Sequence, residues 1–327
     1  MERKLVSIQT IESVAPITGA DNIVQARVMG WTVVVKKGEL AAGDPCVFFE
    51  IDSVLPDGPA WSEFMRARAF RVRTLKLRGV LSQGLALPVA ILDGEAPRDV
   101  DLRDRLGVTK YEPVLPDARE VAGPFPARVP KTDEIRLQSA LGVLEEMRGR
   151  AFYVTTKLDG TSATFARDAG GFVACSRNWA LVRGENHVWR LAARYQLETR
   201  LPVDFAIQGE ICGPGIQRNR LGLAEVDLFV FNVYDMRAGG FLGLDAFVAF
   251  CAERGLKTVP IERVVKDPTY DHTLDGWLEA ARGLYPGTPQ RKEGIVVRPL
   301  VEAVSAVLGG RMSFKVINND FLLKDED

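Results

Sequence analysis

The sequence predicts an α+β protein in two parts, a small N-terminal β-barrel followed by a larger domain of antiparallel sheets with flanking helices. Three observations carry this. The first 110 residues hold short runs of β-branched and aromatic residues bounded by Gly and Pro. A proline-rich stretch without periodicity follows. After it, strand-like and helix-like segments alternate irregularly, which excludes a βαβ repeat.

In the first part, "WTVVVKKGEL" and "DPCVFFEIDSVLP" read as strands, and "FRVRTLKLRGVLSQGLALP" adds strands around Gly79 and Gly84. The size suits an OB-like barrel spanning residues 1–110. Residues 111–130, which include "EPVLPDAREVAGPFPARVP", read as a linker. In "KTDEIRLQSALGVLEEMRGR", Thr132 or Asp133 is expected to cap a helix carrying Ile135, Leu137, Leu141 and Leu144. Residues 131–327 form the second domain. There "AFYVTTKLDGTSATFARDAGGFVACSRN" reads as strands joined by turns, "FAIQGEI" and "DLFVFNVYD" as buried strands, and "EGIVVRPL" and "RMSFKVI" as late strands. "GLDAFVAFCAERGL" reads as an amphipathic helix ending at Gly255.

Composition narrows the function. Of 327 residues 46% are hydrophobic and 26% charged, an ordinary globular balance. The net charge is -1, so affinity for nucleic acid must come from local basic clusters. Cys46, Cys175, Cys212 and Cys251 form no CxxC pair, which argues against structural zinc and a disulfide framework. With His187 and His272 as the only histidines, a multi-histidine metal centre is disfavoured. A metal here would sit on oxygen ligands, which suits magnesium or manganese. No targeting segment or long apolar run is evident, so a cytoplasmic protein without membrane contact is expected, and a monomer.

"TTKLDGTS" places Lys157 two residues before an Asp-Gly pair. Alone this suits an Asp-Gly hairpin between two strands. Four further elements follow in order: S-R-N at 176–178, G-E at 209–210, E-G-I-V-V-R at 293–298 and S-F-K-V at 313–316. The series resembles the covalent nucleotidyltransferases, the polynucleotide ligases and mRNA capping enzymes. The resemblance implies that Lys157 attacks the α-phosphate of ATP and carries AMP as a covalent intermediate. Lys315 and Glu293 would be its catalytic partners. The ATP-binding set would be Thr156, Lys157, Asp159, Arg177, Glu210, Phe231, Glu293 and Lys315, with Phe231, taken to lie at a strand end, stacking on adenine. Glu293 and Glu210 would hold magnesium or manganese. A lysine attacks only when neutral, and its ordinary pKa is about 10.4, so burial and nearby cations such as Lys315 are expected to favour the neutral amine.

Only twelve residues follow Lys315, whereas DNA ligases and capping enzymes, as families, carry an OB domain there. An N-terminal barrel instead resembles the nick-sealing RNA ligases of the Deinococcus type, and "RVPKTDEIRLQS" looks like the lead-in of ligases acting on duplex breaks. The expected function is ATP-dependent sealing of 3'-OH/5'-phosphate nicks in duplexes with RNA at the 3'-OH side, as in RNA repair. The rivals are an ATP-dependent DNA ligase and a non-catalytic duplex RNA-binding module. Two departures from the family pattern stand out. Thr156 replaces the Glu that often precedes the nucleophile, leaving adenine to Thr156, Thr155 or the backbone. Ser313 replaces the first of two lysines in the last motif, with Arg311 as a candidate substitute. In "RARAFRVRTLKLRG", Arg71, Arg73, Lys76 and Arg78 would make a strand-borne stripe for phosphate contact.

Overall fold

The computed structural model describes residues 4–98, 100–112, 119–267 and 273–323. The chain divides into two compact units, residues 1–114 with 322–327, and residues 115–321. Among the described residues no helix is long and apolar enough to cross a membrane.

The first unit is built from two three-stranded antiparallel sheets, a hairpin and a short antiparallel pair, Ser53–Val54 with Thr109–Lys110. Val6–Thr10, Pro45–Phe49 and Leu85–Pro88 form one sheet, and Ser13–Pro16, Ile23–Val28 and Trp31–Lys36 the other. Strand Trp31–Lys36 alternates buried and half-buried residues, as a sheet with one face on a core requires. The basic stretch is not one strand. Glu63–Arg68 is a 3-10 turn, and Ala69 and Phe70 both take positive φ, which breaks extension before Arg71. Arg78 and Gly79 also take positive φ, forming the two-residue hairpin loop between Thr74–Leu77 and Val80–Gln83.

The second unit stacks two sheets. An eight-stranded sheet runs through Val121–Pro124, Trp179–Leu181, Gly171–Cys175, Thr161–Asp168, Phe205–Cys212, Asp227–Asp235 and Gly240–Phe241, with Lys257–Thr258 beside Asp227–Asp235. A five-stranded sheet orders Ile135–Arg136, Phe314–Ile317, Gly294–Pro299, Phe152–Lys157 and Ile261–Val265. Helices His187–Arg194 and Leu244–Glu253 pack Leu191, Phe247 and Phe250 against Phe165, Ile207 and Val230 of the first sheet. Trp277, from the helix Leu274–Ala280, packs edge-on against Phe152 and Phe314 of the second. Strand alternation then sorts the second sheet's residues. Phe152, Val154, Ile295, Val297, Phe314 and Val316 enter the core behind it, and Thr155, Lys157, Val296, Arg298 and Lys315 line a cleft on the other face.

Two further expectations are corrected. Of the expected linker, 113–118 lies outside the described residues, while Val121–Pro124 is a strand paired with Trp179–Leu181 and Val129 is buried. Prolines 124, 126 and 130 suit an edge strand and its exit, so Pro content alone could not separate edge from linker. The expected helix over 132–144 is absent. Ile135–Arg136 pairs in parallel with Phe314–Lys315, Leu137–Ser139 is a 3-10 turn, and only Val143–Met147 is helical. Of the apolar residues at helical spacing, Leu137 is buried in the core behind the five-stranded sheet, and Ile135, Leu141 and Leu144 pack half-buried against it.

Glycine spacing holds this sheet closed. A Cβ on Gly294 would lie 2.1 Å from the Val316 carbonyl oxygen, so strands Gly294–Pro299 and Phe314–Ile317 cannot pair as they do around any side chain. Gly294→Ala should lower stability by about 2–4 kcal/mol, read as a lower urea midpoint with unchanged slope. An unchanged midpoint would contradict this packing.

Candidate active site

The cleft encloses about 370 Å³, within the range of small-molecule sites. Its five-stranded wall is set by register. Lys157 ends its strand opposite Gly294, Thr155 lies opposite Val296, and Val296 lies opposite Lys315. Residues 158–160 carry the chain from this sheet into the eight-stranded one, so Asp-Gly is a crossover and not a hairpin. Gly160 is required there because a Cβ would lie 2.3 Å from the Ile211 carbonyl oxygen.

Lys157 Nζ donates to Glu293 Oε2 at 2.6 Å, and both side chains are largely shielded, at 25% and 19% exposure. The opposite wall supplies Glu210 from Phe205–Cys212 and Phe231 from Asp227–Asp235. Phe231 sits mid-strand and not at a strand end. Gln208 pairs with Asn232 and Gly209 with Val230, so Phe231 is the extra residue of a β-bulge that aims its ring at the cleft. Asp159 is held by Arg220 Nε at 3.0 Å. Arg177, in the turn after Gly171–Cys175, pairs with Asp133 across the cleft mouth.

The charges are strongly coupled. Burial disfavours the charged form of Lys157, but the carboxylates of Glu293, Glu210 and Asp159 outweigh it and hold the amine's pKa above its ordinary value. The cleft's carboxylates therefore keep Lys157 protonated, contrary to the sequence expectation. Of the two cleft lysines, Lys315 is the one with the depressed pKa, which burial, then Lys157 and Arg136, bring down to about 7. Burial pushes Glu210 up to about 7, with Glu293 and Asp159 adding to the rise against the opposing pull of Lys157. Among the described residues no three His, Cys, Asp or Glu side chains group as a metal cage. Glu293 and Glu210 instead offer oxygen donors whose mutual repulsion Lys157 offsets only in part, which fits a hard divalent cation completed by water and substrate oxygens.

Most sequence-named residues converge here. Thr156, Lys157, Asp159, Arg177, Glu210, Phe231, Glu293 and Lys315 all line the one cleft. Thr156 is qualified, because its hydroxyl donates to Glu262 Oε1 at 2.8 Å, and Glu262 also takes Lys292 at 2.6 Å. Arg311 does not replace the missing lysine. It pairs with Glu302, donates to Asn232 and lies over Phe241, outside this cleft. Arg298 is the cation that meets Ser313, with Nε donating to its hydroxyl at 2.9 Å while the guanidinium pairs with Glu134 at 3.0 Å. In the first unit, Arg71 is taken up by Asp52 at 2.7 Å and by the Tyr111 ring. Arg73 and Arg78 are exposed and Lys76 is half-buried, so no continuous stripe forms.

Sequence reasoning missed Glu134, Arg298 and Tyr285. Arg298 ends the quoted E-G-I-V-V-R and shares strand parity with Val296, so it could have been read as cleft-facing. Glu134 was hidden by the helix expectation. Tyr285 sits in "GLYPGTP", which carries no periodic signal.

A family model described as RNA ligase matches residues 150–317, and one described as an OB-fold domain matches residues 5–89. The N-terminal unit is thus the OB fold that its strands predict. No curated protein matches the sequence. Among solved structures, Naegleria gruberi RNA ligase with pyrophosphate is 33% identical, with a TM-score of 0.84 over 100% of both chains. A variant of that enzyme with AMP and manganese is 33% identical, with a TM-score of 0.85 over 99% of this chain and 100% of that one. Another, with ATP and manganese, is 33% identical, with a TM-score of 0.83 over 98% of this chain and 99% of that one.

The raised Glu210 pKa makes a stability prediction. Its folded pKa of about 7 exceeds the unfolded value of 4.5, so the native state binds the extra proton between these values and stability falls as pH rises through that window. Glu210→Gln should therefore match wild type near pH 4.5 and exceed it by about 1–3 kcal/mol at pH 8. A difference independent of pH, measured by chemical denaturation, would contradict the assignment.

Proposed function

The chain belongs to the RNA ligase family, and we propose that it is an ATP-dependent ligase that seals 3'-OH/5'-phosphate nicks in duplex nucleic acid with RNA at the 3'-OH side. The observation that carries the reading is the 2.6 Å contact between a shielded lysine and a shielded glutamate inside a nucleotide-sized cleft. Whole-length similarity to an RNA ligase solved with ATP, AMP, pyrophosphate and manganese supports it. Nick sealing, as in the Deinococcus type, is supported by the N-terminal OB unit and by the lead-in residues Thr132, Asp133 and Glu134, which line the cleft.

The reaction is three nucleotidyl transfers. Lys157 Nζ attacks the α-phosphorus of ATP, the bond to the β-phosphate breaks, pyrophosphate leaves and a lysyl-AMP phosphoramidate remains. The 5'-phosphate of the nick then takes the AMP, and the 3'-OH displaces it. Glu293 holds the amine in place. A divalent cation on Glu293 and Glu210 would supply the positive charge that offsets the carboxylates and lowers the amine's pKa. Lys315, poised near neutrality, gains its proton as phosphate charge arrives beside it, and so clamps the anion as the transfer proceeds. Phe231 stacks on the base, with Val296 and Val259 as apolar walls. With the Thr156 hydroxyl committed to Glu262, adenine is left to Thr155 and main-chain atoms. The exposed Arg73 and Arg78 contact phosphates of the duplex.

The test is ligation with ATP and magnesium or manganese on matched substrates. A nicked duplex with RNA at the 3'-OH should be sealed, one with DNA at that position should be poor, and Lys157→Ala should lose at least about 10³-fold in rate. Equal sealing with DNA would favour a DNA ligase. No sealing under either metal would favour a non-catalytic binding module.

A further inference from the structure

We infer that the Tyr285 hydroxyl is a positioning group for the transfer, fixing the nucleophile Lys157 against Glu293; this deepens the proposed function and rests on it. Tyr285 lies between helix Leu274–Ala280 and strand Gly294–Pro299 and is 1% exposed. Its ring packs with Leu158, Cys212 and Val259 beneath the cleft. Its hydroxyl accepts from the Asp159 N–H at 3.0 Å and the Glu293 N–H at 3.1 Å, and donates to the Lys157 carbonyl at 3.3 Å. A phenol has one proton and two lone pairs, so the group is used to capacity.

The location gives these bonds their meaning. Lys157 and Gly294 are the last paired residues of their two strands. One step further, the ladder ends and the chain leaves for the other sheet. Tyr285 continues the cross-link past that end, joining the nucleophile's carbonyl and the amides of both neighbouring acids through one oxygen. The other side of Glu293 is fixed by the Asn318 N–H, which donates to its carbonyl at 2.9 Å. Tyr285 is itself held, with its N–H donating to Gln290 O at 2.9 Å and its carbonyl accepting from Thr288 N at 3.1 Å. Burial raises the phenol's pKa above its ordinary value, so it keeps the proton it donates throughout the working pH range. The hydroxyl faces main-chain atoms and not the cleft, so it acts only through the residues it aligns.

Tyr285→Phe keeps the ring and removes the three bonds. In single-turnover adenylylation its maximal rate should fall about 10- to 100-fold, because small misplacements of a nucleophile cost that much. The KM for ATP should stay near the wild-type value, since the hydroxyl is not placed to touch the nucleotide. A control, Leu308→Ala in the core behind the five-stranded sheet, should lower the melting temperature yet leave the rate near wild type well below it. If Tyr285→Phe loses only stability, or resembles the control, the inference is overturned while the proposed function stands. If wild type forms no adduct, both fall. Should the variant fail to fold, hydrogen exchange on wild type decides. Strong protection of the Asp159 and Glu293 amides is expected, and exchange at the rate of exposed loops overturns the inference.

Discussion

The site depends on one contact, Lys157 to Glu293 at 2.6 Å, made where two antiparallel strands stop pairing. Strand geometry brings the residues together but cannot by itself hold them, because each lies at or beyond the ladder's end. The surrounding structure closes that gap. Gly294 lets Phe314–Ile317 approach closely enough to bring Lys315 alongside Val296. Gly160 lets the crossover dive against Phe205–Cys212, which places Glu210 across from the amine. Tyr285 ties the ends through its hydroxyl. The core behind the sheet packs Trp277 against Phe152 and Phe314 and so backs this wall.

The same crowding sets the chemistry. Two lysines and five carboxylates, Asp133, Glu134, Asp159, Glu210 and Glu293, line the cleft, and their environments push the titrating groups in different directions. The neighbouring carboxylates keep Lys157 charged, while Lys315 and Glu210 both come to about 7. Groups whose proton affinities are driven apart or toward neutrality mark a site built for a charge-moving reaction. The cleft is an acid-rich cavity that holds Lys157 protonated.

Much of this was legible in the sequence because it is written in local patterns. The strand spacing of "DLFVFNVYD" and "EGIVVRPL" identified elements that form, and the ordered motifs, with Thr156 and Phe231 from the resemblance they carry, identified eight residues that meet in one cleft. What escaped depends on contacts distant in sequence. Thr132 to Leu144 has helical spacing, yet Ile135–Arg136 finds a better partner in Phe314–Lys315 across the sheet edge. The arginine run looked like one strand because nothing local announces the left-handed pair Ala69 and Phe70. The bulges that aim Phe231 and Glu262 are register facts, invisible without the neighbouring strand. The replacement of a motif lysine by Ser313 read as a loss, whereas Arg298 had already filled the space beside it.

The most direct measurement is to locate the adenylyl group after incubation with ATP and manganese, by mass spectrometry of peptides prepared at alkaline pH. The account predicts one adenylyl group per chain, on the peptide containing Lys157, lost on mild acid treatment as a phosphoramidate is. An acid-stable adduct, or one on any other residue, would contradict it.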